Sequence, residues 1–243
     1  MINTLLDYIT AWKQRNDYES NISKSRVSSI VLNLLSKTFN PSAERSRHPF
    51  HNKRLQEYKD KIGYWLDNKK ININFGDSLT DLSREQIYES HDGIFSISGS
   101  WANHIQMMAE DLHHDLKRFI IKNISIGCLG GNPLLVYQNY NEVVQDSISC
   151  LNKVRQLYPD SRIIVYGLPP VFNIHVNQNT YQFDNELANW VSKDPNARFI
   201  NLKSNFGSGF GKLFPSSKWS SDGVHFNPNG ANKFSKLIKE EQQ

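Results

Sequence analysis

The apolar residues of this chain follow two different periods, and the change between them falls near residue 70. In the first 69 residues, "INTLLDYITAW", "SSIVLNLLSKTF" and "RLQEYKDKIGYWLDN" carry apolar side chains three and four apart. That is the spacing of one helix face. "NPSAERSRHPFHNK", which directly precedes the third of these, is polar and holds two prolines, so it reads as a loop. The pattern predicts a helical N-terminal extension over residues 1–69, two or three helices that pack on the following domain or bind something else. From residue 70 short alternating runs take over. "ININF" (71–75) sets Ile71, Ile73 and Phe75 two apart, as a strand does. "GIFSI" (93–97), "NISIGCL" (123–129), "RIIVYGL" (162–168) and "ARFINL" (197–202) read as four more strands.

Helical stripes lie between and after these strands. Trp101, Ile105, Met108, Leu112, Leu116 and Phe119 form one; Val144, Ile148, Leu151, Val154 and Tyr158 form another. "YQFDNELANWVSK" is a third helix, and "NPNGANKFSKLIKEEQ" closes the chain as a fourth. Strand and helix in alternation predict the α/β class, with a parallel sheet covered by helices on both faces. Residues 70–243 are read as that one domain. Parallel sheets bind ligands at the carboxyl ends of their strands. The residues that follow each strand therefore carry the functional reading.

Composition narrows the setting. With 243 residues and 38% hydrophobic content, the chain can bury a full core. Residues 1–70 hold 13 Lys and Arg against 7 Asp and Glu, so the overall charge of +4 belongs to the N-terminal third. No aromatic-basic motif accompanies that excess, so it reads as a solvated helical cap rather than a nucleic-acid surface. The two cysteines, Cys128 and Cys150, make neither a CxxC pair nor a disulfide framework. The opening residues lack the basic cluster of a secretory signal, and no run approaches the ~20 apolar residues that cross a bilayer. A cytoplasmic protein is the expectation.

Gly76-Asp77-Ser78 follows the first predicted strand and Ser98-Gly99-Ser100 the second. Gly130-Gly131-Asn132-Pro133 follows the third, and Asp222-Gly223-Val224-His225 comes after the fifth and its loop. A serine hydroxyl is a poor nucleophile until a base takes its proton. Imidazole, with an ordinary pKa of about 6.5, suits that task near neutral pH. A carboxylate on its other nitrogen fixes the tautomer and stabilises the imidazolium. Asp222 and His225, three apart, can serve one spot. The tetrahedral intermediate then needs donors, and the Ser78 N–H, the Gly99 N–H and the Asn132 amide are the candidates.

The blocks "FGDSLTD", "SGSW", "GGNP" and "SDGVHFNPNG" resemble those of the SGNH (GDSL-type) hydrolases, in that family's order and near its spacing. The resemblance spans about residues 71–240. It implies a flavodoxin-like, three-layer α/β/α fold with a five-stranded parallel sheet. It also implies ester hydrolysis with no metal and no cofactor. Ser78 would be nucleophile and first oxyanion donor, Gly99 and Asn132 the other donors, His225 the base and Asp222 its partner. Two departures stand out. No Gly follows Ser78 within "SLTDLS", and Pro133 stands where the third block usually has Asp. Asn132 is kept, so Pro133 bears on the groove beyond it. Pro133, Trp101, Val171 and Phe172 are the expected pocket wall, although Trp101 also reads as the first core residue of its helix.

Rival chemistry finds less support. Asp111 and His114 repeat the Asp-x-x-His spacing, but on a helix away from the strand ends, where His113 and His114 read as a solvated face. No Gly-x-Ser-x-Gly elbow, Walker A or Gly-x-Gly-x-x-Gly motif occurs. Two functions follow. One is a serine esterase acting on a small-molecule or carbohydrate O-acyl ester, such as an O-acetylated sugar. The other is a catalytically silent binding or assembly protein on the same fold, using the basic segment.

Overall fold

A computed structural model of the chain describes residues 48, 50–65, 70–87, 93–136, 139–171, 174–208, 214–216, 218–220 and 222–241. In chain order these form α1 (His51–Gly63), β1 (Lys70–Gly76), α2 (Ser78–Leu82), α3 (Arg84–Ile87), β2 (Gly93–Ser96) and α4 (Ala102–Leu116). There follow β3 (Ile120–Gly127), α5 (Gly131–Val136), α6 (Tyr140–Leu157), β4 (Arg162–Tyr166) and α7 (Ile174–Val191). The last are β5 (Ala197–Ile200), α8 (Leu202–Phe206), β6 (Gly207–Ser208), β7 (Phe214–Pro215) and α9 (Pro228–Glu241). The helices expected before residue 48 lie outside the described residues.

The five predicted strands form one parallel sheet in the order β2-β1-β3-β4-β5. The order turns back between β1 and β3, which makes that crevice the topological switch point where such sheets bind ligands. Register fixes the faces. Phe95, Phe75, Ile126 and Val165 are level with one another and share one face. Tyr58 of α1 packs edge-on to Phe95 there, with ring centroids 5.1 Å apart. Tyr166 lies on the opposite face and meets Phe234 of α9 at 5.3 Å. Helices thus cover both sides, giving the three-layer α/β/α architecture.

Three details differ from the sequence pattern. The alternation in "ININF" is not apolar-in and polar-out, because Asn74, Asn123 and Ser125 are as buried as their apolar neighbours. The polar face closes on itself where the Asn123 amide donates to Asn72 Oδ1 at 2.8 Å. In α6 the buried stripe is Val143, Ser147, Cys150, Leu151 and Val154; Val144 and Ile148 are only partly covered. The shift places the small side chains Ser147 and Cys150 on the buried face, a choice that hydrophobicity alone does not signal. Finally, α7 starts at Ile174, seven residues before the predicted helix "YQFDNELANWVSK".

The helix just ahead of residue 70 packs on the sheet, as one of the two expectations for that segment had it. α1 begins at His51, inside the predicted loop, and buries Tyr58 and Ile62 in the same core as the sheet. The Tyr58 hydroxyl donates to the Ser96 carbonyl at 2.6 Å and receives the Ser96 N–H at 3.1 Å. β2 is the edge strand, so this hydroxyl satisfies backbone groups that no neighbouring strand reaches.

Beyond β4, a buried ion pair ties the chain together. Lys203 of α8 pairs with Asp184 of α7, their side chains 1% and 4% exposed. Lys203 Nζ also donates to the carbonyls of Leu168 (3.1 Å) and Thr180 (3.2 Å), while Asp184 Oδ1 accepts the Leu168 N–H at 3.0 Å. Removing one member strands the other charge in an apolar interior. Asp184→Ala is expected to lower the urea-unfolding free energy by about 3–5 kcal/mol. A loss below about 1 kcal/mol would show that the pair is not the tie described.

Candidate active site

Ser78 stands at the first position of α2, directly after β1. Asp77 caps that helix, its carboxylate accepting the Leu79 N–H at 2.9 Å. The strand-to-helix turn holds Ser78 at the sheet edge, 8% exposed. The Asp222–His225 turn meets it from the other end of the domain. Gly223 has φ of 78°, a conformation that glycine tolerates best. This lets Asp222 Oδ1 accept the N–H groups of Val224 (2.8 Å) and His225 (2.7 Å). Asp222 Oδ2 lies 2.7 Å from His225 Nδ1, and His225 Nε2 lies 3.1 Å from Ser78 Oγ. With Nδ1–H donating to the carboxylate, Nε2 is left to accept the serine proton.

The other expected donors flank the same place. The Ser100 N–H bonds the Ile97 carbonyl at 3.1 Å, closing a turn with Gly99 at its third position. Gly99 has φ of 85°, which a type II turn requires there. Asn132, in the first turn of α5, donates its amide to the Ser100 carbonyl at 3.0 Å and to Asp77 Oδ2 at 3.4 Å. Cys128, at φ 56°, turns the chain out of β3 toward this helix.

Beside Ser78 opens a cleft enclosing about 380 Å³, its open side included. Leu79, Leu135, Leu168, Pro169, Val171 and Val224 make it apolar, and Asp77, Ser78, Asn132 and Thr180 also line it. Val171 is where the sequence placed it. Phe172 lies outside the described residues. Trp101 and Pro133 do not line this cleft; they face a smaller cavity with Ala102, Val143, Asp146 and Ser147. Trp101 is the N-cap of α4, its backbone N–H on His104 Nδ1 at 3.1 Å, and it is 5% exposed. Asp111 pairs with His51 at 2.9 Å, and the His114 side chain is 82% exposed, so the rival Asp-x-x-His does not assemble. Among the described residues, no cluster of three His, Cys, Asp or Glu could hold a metal ion.

Asp77, Leu135 and Thr180 were not singled out from the sequence. An Asp immediately before a helix start is a capping signal, so Asp77 was within reach. Thr180, on the long α7, carried no signal.

No family model and no curated protein matches the chain. Solved structures do. A GDSL-like lipase from Bacteroides thetaiotaomicron aligns with TM-score 0.62 at 14% identity, covering 79% of this chain and 98% of that one. A family 3 carbohydrate esterase from Clostridium thermocellum aligns at 0.53 and 16% identity, covering 71% and 94%. The catalytic domain of peptidoglycan O-acetyltransferase A from Streptococcus pneumoniae aligns at 0.53 and 12%, covering 72% and 93%. The chain therefore has the α/β/α fold of the GDSL-type (SGNH) hydrolases. At these identities the likeness speaks for the fold.

Burial pushes the Asp77 carboxyl up to about 7. The folded protein thus keeps this proton where an unfolded chain, with a carboxyl near about 3.9, has lost it. The resulting stabilisation is complete below about pH 4 and disappears as pH rises through about 7. Asp77→Asn retains the cap acceptor and removes the titration. Its Tm relative to wild type is expected to climb between pH 5 and pH 8, by about 2 °C or more. A difference that stays flat over that range would contradict the assignment.

Proposed function

We propose that the protein is a serine ester hydrolase that cleaves small O-acyl esters without a metal. The observation that carries this reading is the relay from Asp222 through His225 to Ser78, with contacts of 2.7 and 3.1 Å. Ser78 Oγ attacks the ester carbonyl as His225 Nε2 takes its proton. Asp222 holds the imidazole in the required tautomer and faces the positive charge that forms. Both of its oxygens are already engaged by its own turn, so little reorganisation is needed. The carbonyl oxygen becomes an oxyanion near the N–H groups of Ser78 and Gly99 and the Asn132 amide. The 3.4 Å contact from Asn132 to Asp77 is the weaker of its two and is the one surrendered to the oxyanion. His225 then returns the proton to the leaving alkoxide, and water, activated by the same nitrogen, releases the acid.

The apolar cleft supports a short acyl group as the part bound beside Ser78. The fold's likeness to a carbohydrate esterase and a peptidoglycan O-acetyltransferase favours acetyl on a sugar hydroxyl as the first substrate class to assay.

Ser78→Ala is expected to lower kcat on p-nitrophenyl acetate by at least about 10⁴-fold with the fold intact. Asn132→Ala should lower it by about 10²–10³-fold. Wild-type turnover is expected to persist in excess EDTA. A fluorophosphonate probe should label the Ser78 peptide, read by mass spectrometry. Folded protein that leaves Ser78 unlabelled and hydrolyses no ester would favour the silent binding protein instead.

A further inference from the structure

We infer that Asp81 is a positioning residue that holds the Gly99 N–H against the Ser78 N–H, so that both backbone donors face one oxyanion. This rests on the reading of those two groups as oxyanion donors. They lie on different elements, and sheet pairing stops short of the second. The last rung of that pairing is the Ile97 N–H on the Gly76 carbonyl at 3.3 Å, after which the chain leaves the sheet in the Ile97–Ser100 turn. Asp81 reaches across from α2. Its Oδ2 accepts the Ser98 hydroxyl at 2.8 Å, and its Oδ1 lies 3.3 Å from the Ser96 hydroxyl. One carboxylate thus ties the residues on either side of Ile97, the second of them the neighbour of Gly99. Ser100, the other neighbour, is held by Asn132 through its carbonyl. Gly99 therefore hangs between two fixed points.

The anchor is itself fixed to the nucleophile. Asp81 is three residues past Ser78, and its N–H closes the first turn of α2 on the Asp77 carbonyl at 2.8 Å. Ser78 and Asp81 thus belong to one short rigid unit. A carboxylate suits the task. It only accepts, so the serine hydroxyls must turn toward it, and bonds to a charged acceptor are about twice as strong as neutral ones. Two guanidiniums face its charge. Arg84 of α3 donates through Nη2 to Asp81 Oδ1, and Arg54 of α1 lies 3.7 Å from Oδ2. The side chains of Asp81 and Arg84 are 11% and 17% exposed, so water competes little for these contacts. Arg84 Nη2 also donates to the Tyr58 hydroxyl at 3.1 Å, and that hydroxyl bonds the Ser96 backbone. The end of β2 is gripped by Asp81 on its side chains and by Tyr58 on its backbone, with Arg84 joining the two. Asp81 does not line the cleft beside Ser78, so its part is mechanical rather than chemical.

The test pairs full-length Ser98→Ala, which removes the hydroxyl and leaves the Asp81–Arg84 pair intact, with Ser98→Thr, which keeps it. Ser98→Ala is expected to lower kcat on p-nitrophenyl acetate about 10-fold with KM changed less than about twofold, because a transition-state donor is displaced and substrate binding is not. Affinity for phenylboronic acid, which forms a tetrahedral adduct on an active serine, should fall in parallel. Ser98→Thr should restore most of both. Asp81→Ala releases Ser96 as well and should lower kcat about 100-fold. The double variant Asp81→Ala/Ser98→Ala should turn over within about twofold of Asp81→Ala alone, since one tie cannot be lost twice. If Asp81→Ala does not fold, Ser98→Ala against Ser98→Thr decides. Unchanged kcat in folded Ser98→Ala, a loss confined to KM, or no advantage of Thr would overturn the proposal while leaving Ser78-dependent turnover intact. Losses that multiply in the double variant would overturn it too. Turnover that survives Ser78→Ala would overturn the hydrolase reading itself, and the role of Asp81 with it.

Discussion

Parallel pairing holds the carboxyl ends of the five strands at one level. Gly76 sits opposite both Ser96 and Gly127, Gly127 opposite Tyr166, and Tyr166 opposite Ile200. Each chain segment that leaves this line emerges beside the next. Ser78 is two residues past Gly76, Gly99 three past Ser96 and Asn132 five past Gly127, so residues far apart in sequence meet in one crevice. A slip of one residue in any pairing would turn that strand's side chains to the wrong face and move its turn out of line. The two-sided burial of the sheet prevents this. Ile73, Ile124 and Ile163 share one level, and none can leave the interior without exposing a full apolar side chain.

Alignment alone does not aim a donor. Each turn at this edge is held by a polar side chain, and the holders differ in kind. The Asp222 turn is fastened by its own carboxylate on two backbone N–H groups. Asn132 is fastened across the crevice to the Ser100 carbonyl. The segment after β4, which walls the cleft, is fastened from beneath by Lys203 and Asp184 through both the N–H and the carbonyl of Leu168. The last tie is charged and dry, so it is strong only as a complete pair. Preorganised polar groups of this sort stabilise developing charge because they need not rearrange as it forms.

Periodicity in the sequence foretold the five strands and most of the helices, because a strand in a parallel sheet and a helix upon it carry different apolar spacings. The short blocks after the strands identified Ser78, Gly99, Asn132, Asp222 and His225 as residues that the fold would bring to one edge. The pocket was less legible. Val171 lies on a segment that leaves a strand directly, and it was found. Thr180 reaches the cleft from a helix whose placement depends on the Lys203–Asp184 pair, which no spacing reveals. Trp101 and Pro133 were misplaced because adjacency in sequence to Gly99 and Asn132 does not fix which way a side chain turns. In each case the cap or the helix start decided. Asn74 of β1 and Asn123 of β3 show the same limit, since both look polar in sequence and lie in the core.

What the helix ahead of residue 70 packs against was not legible for a related reason. An amphipathic helix announces that it has a buried face but not what lies against it. In α1 that face is Tyr58 and Ile62, and its partner is the edge of the sheet itself. β2 has β1 on one side only, so Ser96 presents an N–H and a carbonyl outward, both buried. The Tyr58 hydroxyl answers both at once. Without α1 the Ser96 N–H would lose the Tyr58 hydroxyl, its carbonyl would keep only the longer contact from Arg84, and Phe95 would lose part of its cover, at the very strand whose end leads to Ser98 and Gly99. The helix therefore shares one core with the sheet.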